Sequence, residues 1–263
     1  MAIRKRRLAK FVVGVVRRKR SAIEAVGKKA VDRATLDFKE GVSGASLVIL
    51  AGPVSTILDH LKTLPKYLSR GAVVIDVGSS KTNIERVARK YLKKNVFVGC
   101  HPMAGSSKRG VTSSDASPDL FLGCTCFMTR KNSIIRKFWE AIGSKVSDRL
   151  NADQHDEWVA GPSYSVHVSA CALLRNRSMR KLVRLKQTAD NPSFRDAARL
   201  SKCDPALWAD ILLSNKYSLA HIRDFEASLS DFRKALVLKN RIKLEKLISE
   251  ANTISRQLTH DVD

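Results

Sequence analysis

The chain has 263 residues, and its 48 Lys and Arg against 25 Asp and Glu give a formal net charge of +23. Hydrophobic residues make up 44% and charged residues 28%, a globular composition able to bury a core in one large domain or two modest ones. No apolar run approaches the roughly 18 residues needed to cross a bilayer, and Gly and Pro are too sparse for a collagen-like or disordered chain. Five scattered cysteines (Cys100, Cys124, Cys126, Cys171, Cys203) without a CxxC pair argue against a disulfide framework or a zinc site and suit a reducing cytoplasm.

Such charge invites a nucleic-acid reading. The basic residues do not form one patch, however: they lie in the first 20 positions, in 175–186 and along the last helix, and aromatics are only 6% with no interleaved stacking motif. A solvated basic surface, suited to anionic small molecules, is the simpler reading, with neither a nucleic-acid nor a membrane partner.

Residues 1–20 (MAIRKRRLAKFVVGVVRRKR) mimic a signal peptide. The apolar stretch 11–16 is shorter than the roughly 7–15 residues of such a segment, and four basic residues follow it at once. FVVGVV is short and β-branched and predicts a strand. Further apolar runs predict strands over 46–51, 72–77, 96–99, 124–129 and 145–148, with helices over 21–29, 55–67, 83–92 and 133–143. Short apolar strands alternating with helices indicate a parallel sheet covered on both faces. Past residue 150 strand signals stop, and helical spacing runs through 154–175, 179–188, 193–201, 205–237 and 239–258, with Asp204 as an N-cap ahead of Pro205. The organisation expected is an α/β domain over 1–150 followed by an all-α domain over 151–263.

In such a sheet, ligands bind beyond the carboxyl ends of the strands. Three of those ends carry loops rich in small residues: Ala51-Gly52-Pro53-Val54, Val77-Gly78-Ser79-Ser80-Lys81, and Gly99-Cys100-His101-Pro102-Met103-Ala104-Gly105-Ser106. Small residues let a flat cofactor approach the backbone, and a His on the third loop can take a proton at neutral pH. A Cys100–His101 nucleophile is disfavoured, because adjacent residues at a strand exit point apart. His60, His155, His221 and His260 read as surface or packing residues.

The string GCHPMAGSSKRGV (99–111) resembles the GGHPMAGSEKSGV signature of the prephenate dehydrogenase family, which includes arogenate and cyclohexadienyl dehydrogenases. LVILAGPV (47–54), VIDVGSSKTNI (74–84), His155-Asp156, SYSVHVSACAL (163–173) and SFRDAARLSKCDPALWADIL (193–212) match in order and spacing, so the resemblance spans about residues 8–230. It implies a Rossmann-like nucleotide-binding domain, an all-α dimerisation domain, a homodimer, and NAD(P)-dependent oxidative decarboxylation of prephenate or arogenate in tyrosine biosynthesis. Position by position, His101 matches the base that takes the ring hydroxyl proton, and Ser79 a Ser close to it. Arg199 matches an Arg that grips a substrate carboxylate, with Asp196 one turn before it. His167, Trp208 and Ser106 match residues near the bound substrate, and Gly52, Pro53 and Gly78 line the cofactor.

The chain departs from the family at four places. The resemblance implies an incomplete Rossmann-like sheet, lacking the first strand and its GxGxxG turn, about 30 residues in all, and hence weak cofactor affinity. After the second strand Val16 stands where the family often has an acidic residue, and Arg17 and Arg18 follow it, favouring NADP over NAD. Tyr164 replaces a His and can still donate a hydrogen bond, and Ser107 replaces an acidic residue. The rival reading is a non-catalytic dimeric homologue or a basic nucleic-acid-binding scaffold, which salt-sensitive duplex binding would favour.

Overall fold

The computed structural model describes residues 1–105, 110–113, 116–184 and 191–260. By contacts the chain divides into two compact units, Met1–Lys216 and Tyr217–Asp263.

The first unit opens with a single helical turn, α1 (Ala2–Lys5), then β1 (Val13–Val15), α2 (Lys19–Gly27), β2 (Arg33–Thr35) and α3 (Phe38–Val42). β1 pairs in parallel with β2 in a two-stranded sheet. β2 and α3 escaped the sequence reading because RAT carries little strand signal and α3 is only one turn, held by Asp37 accepting from the Lys39 and Glu40 N–H groups.

A five-stranded sheet follows in the order β3 (Leu47–Leu50), β4 (Val73–Asp76), β5 (Val96–Pro102), β6 (Thr125–Met128), β7 (Lys145–Ser147). The helices between are α4 (Val54–Thr63, extended by a 3-10 turn), α5 (Thr82–Tyr91) and α6 (Ser133–Ile142). Alternation along the strands splits the core in two. On one face Val48, Leu50 and Val74 meet Ile57 and Leu61 of α4 and Ile84 and Val87 of α5. On the other, Ile75, Val98, Cys126 and Met128 meet Ile135, Trp139 and Ile142 of α6, with Ala2 of α1 joining them.

Two features correct the expectation of a wholly parallel sheet. β6 runs antiparallel to β5, and β5 is longer than the predicted 96–99 because Cys100, His101 and Pro102 pair with Met128, Phe127 and Cys126. His101 therefore stands on a strand, not on a loop. Leu50, Asp76 and Gly99 lie in register across β3, β4 and β5, so His101 sits two residues past that common edge.

After β7 the unit is helical: α7 (Ala152–Val159), α8 (Val166–Arg175), α9 (Arg177–Arg184), α10 (Pro192–Leu200) and α11 (Pro205–Ser214). The single helix predicted over 154–175 is two, joined by a π-helical turn at Ala160–Ser165. Pro162 lacks an N–H and crowds the preceding turn, which widens the helix there. Asp204 caps α11 by accepting from the Leu207 N–H at 2.9 Å, as expected from its place before Pro205. The predicted helix 205–237 is also two, because α11 ends at Ser214 and Asn215 is extended.

The second unit is a helical pair, α12 (Ser218–Val237) and α13 (Arg241–His260), turned at Lys239, whose φ is 48°. Among the described residues no helix is long and apolar enough to cross a membrane.

Candidate active site

Where β4 ends, Asp76 and Lys81 bracket the five-residue step into α5. Both side chains are fully buried and form an ion pair. The Lys81 ammonium also donates to the Cys100 carbonyl at 2.7 Å, and Asp76 accepts from the Gly78 N–H at 2.8 Å. One buried cation thus ties the β4 exit to the peptide just before His101. Burial pushes the Asp76 carboxyl up despite the neighbouring ammonium.

Gly78 is buried, and a Cβ there would lie 2.9 Å from Ile84, 3.1 Å from Asp76 and 3.2 Å from Ile57. Its smallness is thus demanded by packing on the core side. Ser79 beside it is partly exposed, and its carbonyl accepts from the Tyr164 hydroxyl at 2.7 Å. Tyr164 meets the Trp208 ring edge-on, and Trp208 stacks flat on His167, with ring centroids 3.4 Å apart and planes within 2°. Cys171 and Cys203 flank His167 Nε2 at 3.6 and 3.4 Å. The chain Ser79–Tyr164–Trp208–His167 brings three of the predicted residues into one network. Tyr164 donates the hydrogen bond anticipated for it.

The His101 ring keeps a partly exposed edge. Its Nδ1 lies 2.9 Å from His155 Nε2, and His155 Nδ1 lies 3.0 Å from Asp156 Oδ1. His101 Nε2 has no hydrogen-bond partner among the described residues. Burial first, then His155 and the Lys81 ammonium, holds the His101 imidazole well below its ordinary pKa, so it is neutral at pH 7. Burial likewise lowers His167. Cys100 is fully buried with its Sγ 3.6 Å from the Val98 carbonyl, and burial pushes the neighbouring Cys126 thiol up.

The remaining predicted positions stand apart from this network. Arg199, near the end of α10, is exposed and makes no ion pair among the described residues; α10 packs on α8, which carries His167. Arg17 and Arg18 are exposed just after β1, with Arg18 at the N-cap of α2. Gly52 is exposed and Pro53 is the N-cap of α4, whose Ser55 N–H faces the Asp210 carboxylate at 3.2 and 3.3 Å. Ser106 lies outside the described residues.

Sequence reasoning passed over His155, Asp156, Lys81 and Asp76. The reading of His155 as a packing residue is half right, since it is 1% exposed and edge-on to Phe127 at 5.6 Å, but it is also the direct partner of His101. Two signals were available: adjacent His155-Asp156 at a helix start, and an Asp and a Lys five apart around a Gly-Ser-Ser turn.

A family profile described as "Prephenate dehydrogenase, nucleotide-binding domain" matches residues 1–147, and one described as "Prephenate dehydrogenase, dimerization domain" matches residues 151–250. The chain belongs to the prephenate dehydrogenase family. It is 27% identical over 236 residues to a prephenate dehydrogenase of Lactococcus lactis, covering 88% of this chain and 66% of that one. A cyclohexadienyl dehydrogenase of Zymomonas mobilis is 27% identical over 246 residues, covering 88% and 82%. The crystal structure of a prephenate dehydrogenase from Aquifex aeolicus in complex with hydroxyphenyl propionate and NAD+ superposes with a TM-score of 0.80 at 26% identity, over 100% of this chain and 92% of that one. The chain thus spans just under two thirds of the Lactococcus protein's length. The TM-score shows that this chain and the Aquifex protein share one fold.

Proposed function

We propose that this protein catalyses the NAD(P)-dependent oxidative decarboxylation of prephenate or arogenate, giving 4-hydroxyphenylpyruvate or tyrosine in tyrosine biosynthesis. The observation that carries this reading is His101 on the β5 extension, with Nδ1 engaged by His155 and Nε2 without a hydrogen-bond partner among the described residues, in a burial that holds its pKa well below the ordinary value. Both substrates occur in the names of similar proteins: one relative is a prephenate dehydrogenase, and a solved structure of 25% identity and TM-score 0.75 is an arogenate dehydrogenase of Synechocystis.

His101 Nε2 accepts the ring hydroxyl proton as hydride leaves the carbinol carbon and a carbonyl forms. The ring carboxylate then departs as CO₂, and aromatisation drives the step. Bound NAD(P)+ supplies the hydride acceptor. The loops around Gly52-Pro53 and Gly78-Ser79, at the carboxyl ends of β3 and β4, fit the nicotinamide end of such a cofactor. Gly52 is exposed, and a Cβ there would meet only Thr56, which leaves room for close approach. Arg17 and Arg18, exposed and without ion-pair partners among the described residues, suit the ribose phosphate of NADP better than an unmodified ribose. Arg199 binds a substrate carboxylate, with His167 and Trp208 forming a wall of the pocket and Ser79 close to the reacting hydroxyl. Functionally the chain divides near residue 150, and the helical part serves a homodimer.

The test is NADH or NADPH formation at 340 nm with prephenate and with arogenate, comparing the natural full-length protein with its His101→Asn variant. Loss of about 10²–10⁴ in kcat with a retained fold is expected. A wild-type protein inert toward both substrates with both cofactors overturns the reading.

A further inference from the structure

We propose that His155 and Asp156 are positioning residues that lock the tautomer of His101, directing its one proton to Nδ1 and leaving Nε2 as the acceptor. This deepens the dehydrogenase reading and rests on it for its kinetic consequence, while the tautomer itself is independent of it.

The derivation starts at Asp156, which is 1% exposed. Its Oδ1 accepts from the Lys81 N–H at 2.7 Å and its Oδ2 from the Thr82 N–H at 2.8 Å, both at the first turn of α5. The same Oδ1 faces His155 Nδ1 at 3.0 Å. An ionised carboxylate only accepts, so the proton in that contact belongs to His155 Nδ1. The other nitrogen of His155 lies 2.9 Å from His101 Nδ1, a gap that holds one proton.

Which ring owns that proton is decided by charge. The groups facing this corner are the Lys81 ammonium at the start of α5, Asp76 at the end of β4, and His155 and Asp156 on α7, while β6 contributes the uncharged Phe127 ring. Were the proton on His155, that ring would be an imidazolium in a fully buried corner, against a carboxylate already shared with two backbone N–H groups. With it on His101, both rings are neutral. His155 Nε2 is then the acceptor and His101 Nδ1 the donor, so the lone pair of His101 is at Nε2. When Nε2 takes a proton from a substrate, the new imidazolium donates into His155, whose far side rests on the Asp156 carboxylate. The edge-on contact of His155 with Phe127 fixes the intermediate ring. Asp156 is held in turn by the α5 N–H groups, and Asn215 donates to its carbonyl at 2.7 Å.

The test reads the tautomer directly. Full-length protein labelled with ¹⁵N-histidine is examined by two-bond ¹H–¹⁵N correlation at pH 7, with His101→Asn and His155→Gln assigning the signals. Both rings are expected as Nδ1–H with bare Nε2. A His101 found as the Nε2–H form overturns the proposal. Asp156→Asn places a carboxamide that can donate to His155 Nδ1, so it is expected to move the His101 proton to Nε2 and lower kcat by about 100-fold or more. Because Asp156 also caps α5, His155 provides a second arm. His155→Leu is expected to lose about 100-fold in kcat, whereas His155→Gln, whose carbonyl still accepts from His101 Nδ1, stays within about tenfold of wild type. A His155→Leu variant as fast as wild type also overturns the proposal. A protein with His101 in the Nδ1–H form but no activity on either substrate supports the tautomer lock and refutes the dehydrogenase reading instead.

Discussion

Replacing Lys81 with methionine removes the buried ammonium at the β4–β5 edge while keeping most of the side-chain volume. Lys81 and Asp76 are both 0% exposed, so the variant leaves a carboxylate buried with the Gly78 N–H but without its counter-charge, and the Cys100 carbonyl without its Nζ donor. Breaking a buried pair from one side costs about 3–5 kcal/mol, and an unsatisfied carbonyl about 1–3 kcal/mol; the two overlap, and about 3–5 kcal/mol is expected in all. The deficit shrinks as pH falls, because burial already holds the Asp76 carboxyl above its ordinary pKa and a protonated carboxyl needs no counter-charge. The double variant Lys81→Met with Asp76→Asn removes both charges and is expected to recover at least half of the loss. Urea unfolding midpoints of wild type, both single variants and the double variant, at pH 7 and pH 5.5, measure this cycle. A Lys81→Met variant within about 1 kcal/mol of wild type, or a double variant no better than the worse single one, refutes the reasoning.

Three further outcomes are expected. Burial lowers the pKa values of His60, His101 and His167, so below about pH 6.5 the unfolded chain binds protons that the folded one refuses. Stability is therefore full above that pH and falls on acidification toward pH 5.5, and His101→Asn makes the fall shallower; identical slopes of urea midpoint against pH in the two proteins contradict this. Gly78→Ala forces a methyl to within 2.9 Å of Ile84 and 3.1 Å of Asp76, in a loop whose neighbours Ile57 and Ile84 are fully buried. It is expected to destabilise by about 1–3 kcal/mol, and thermal unfolding within about 0.5 kcal/mol of wild type argues against that packing. On the proposed role of Arg199, Arg199→Lys keeps the charge but gives up a two-pronged grip on the substrate carboxylate, so KM for prephenate is expected to rise about tenfold with kcat changed far less; steady-state kinetics at saturating cofactor separate the two.

The sequence by itself determined the alternation of short apolar strands with helices, the change to helix near residue 150, and three strand ends crowded with small residues and one His. Each is a local property: β-branched runs, helical spacing, Asp204 ahead of Pro205, and glycines at turns write their signatures within a few neighbouring positions. The HPMAGS and FRDAAR strings placed His101 and Arg199 by the same kind of short-range match. Only the tertiary structure decided what those residues can do. The antiparallel return of β6 lengthened β5 and set His101 on a strand, an effect of residues 125–128 that no window around His101 contains. The partner of His101 is 54 positions away, and the carboxylate of Asp156 meets the Lys81 and Thr82 N–H groups across 75 and 74 positions. His155 and Lys81 are ordinary polar residues until burial removes water from around them. The hydrogen bonds they are then obliged to make fix a His-Asp pair and a Lys-Asp pair beside His101, the proposed proton acceptor.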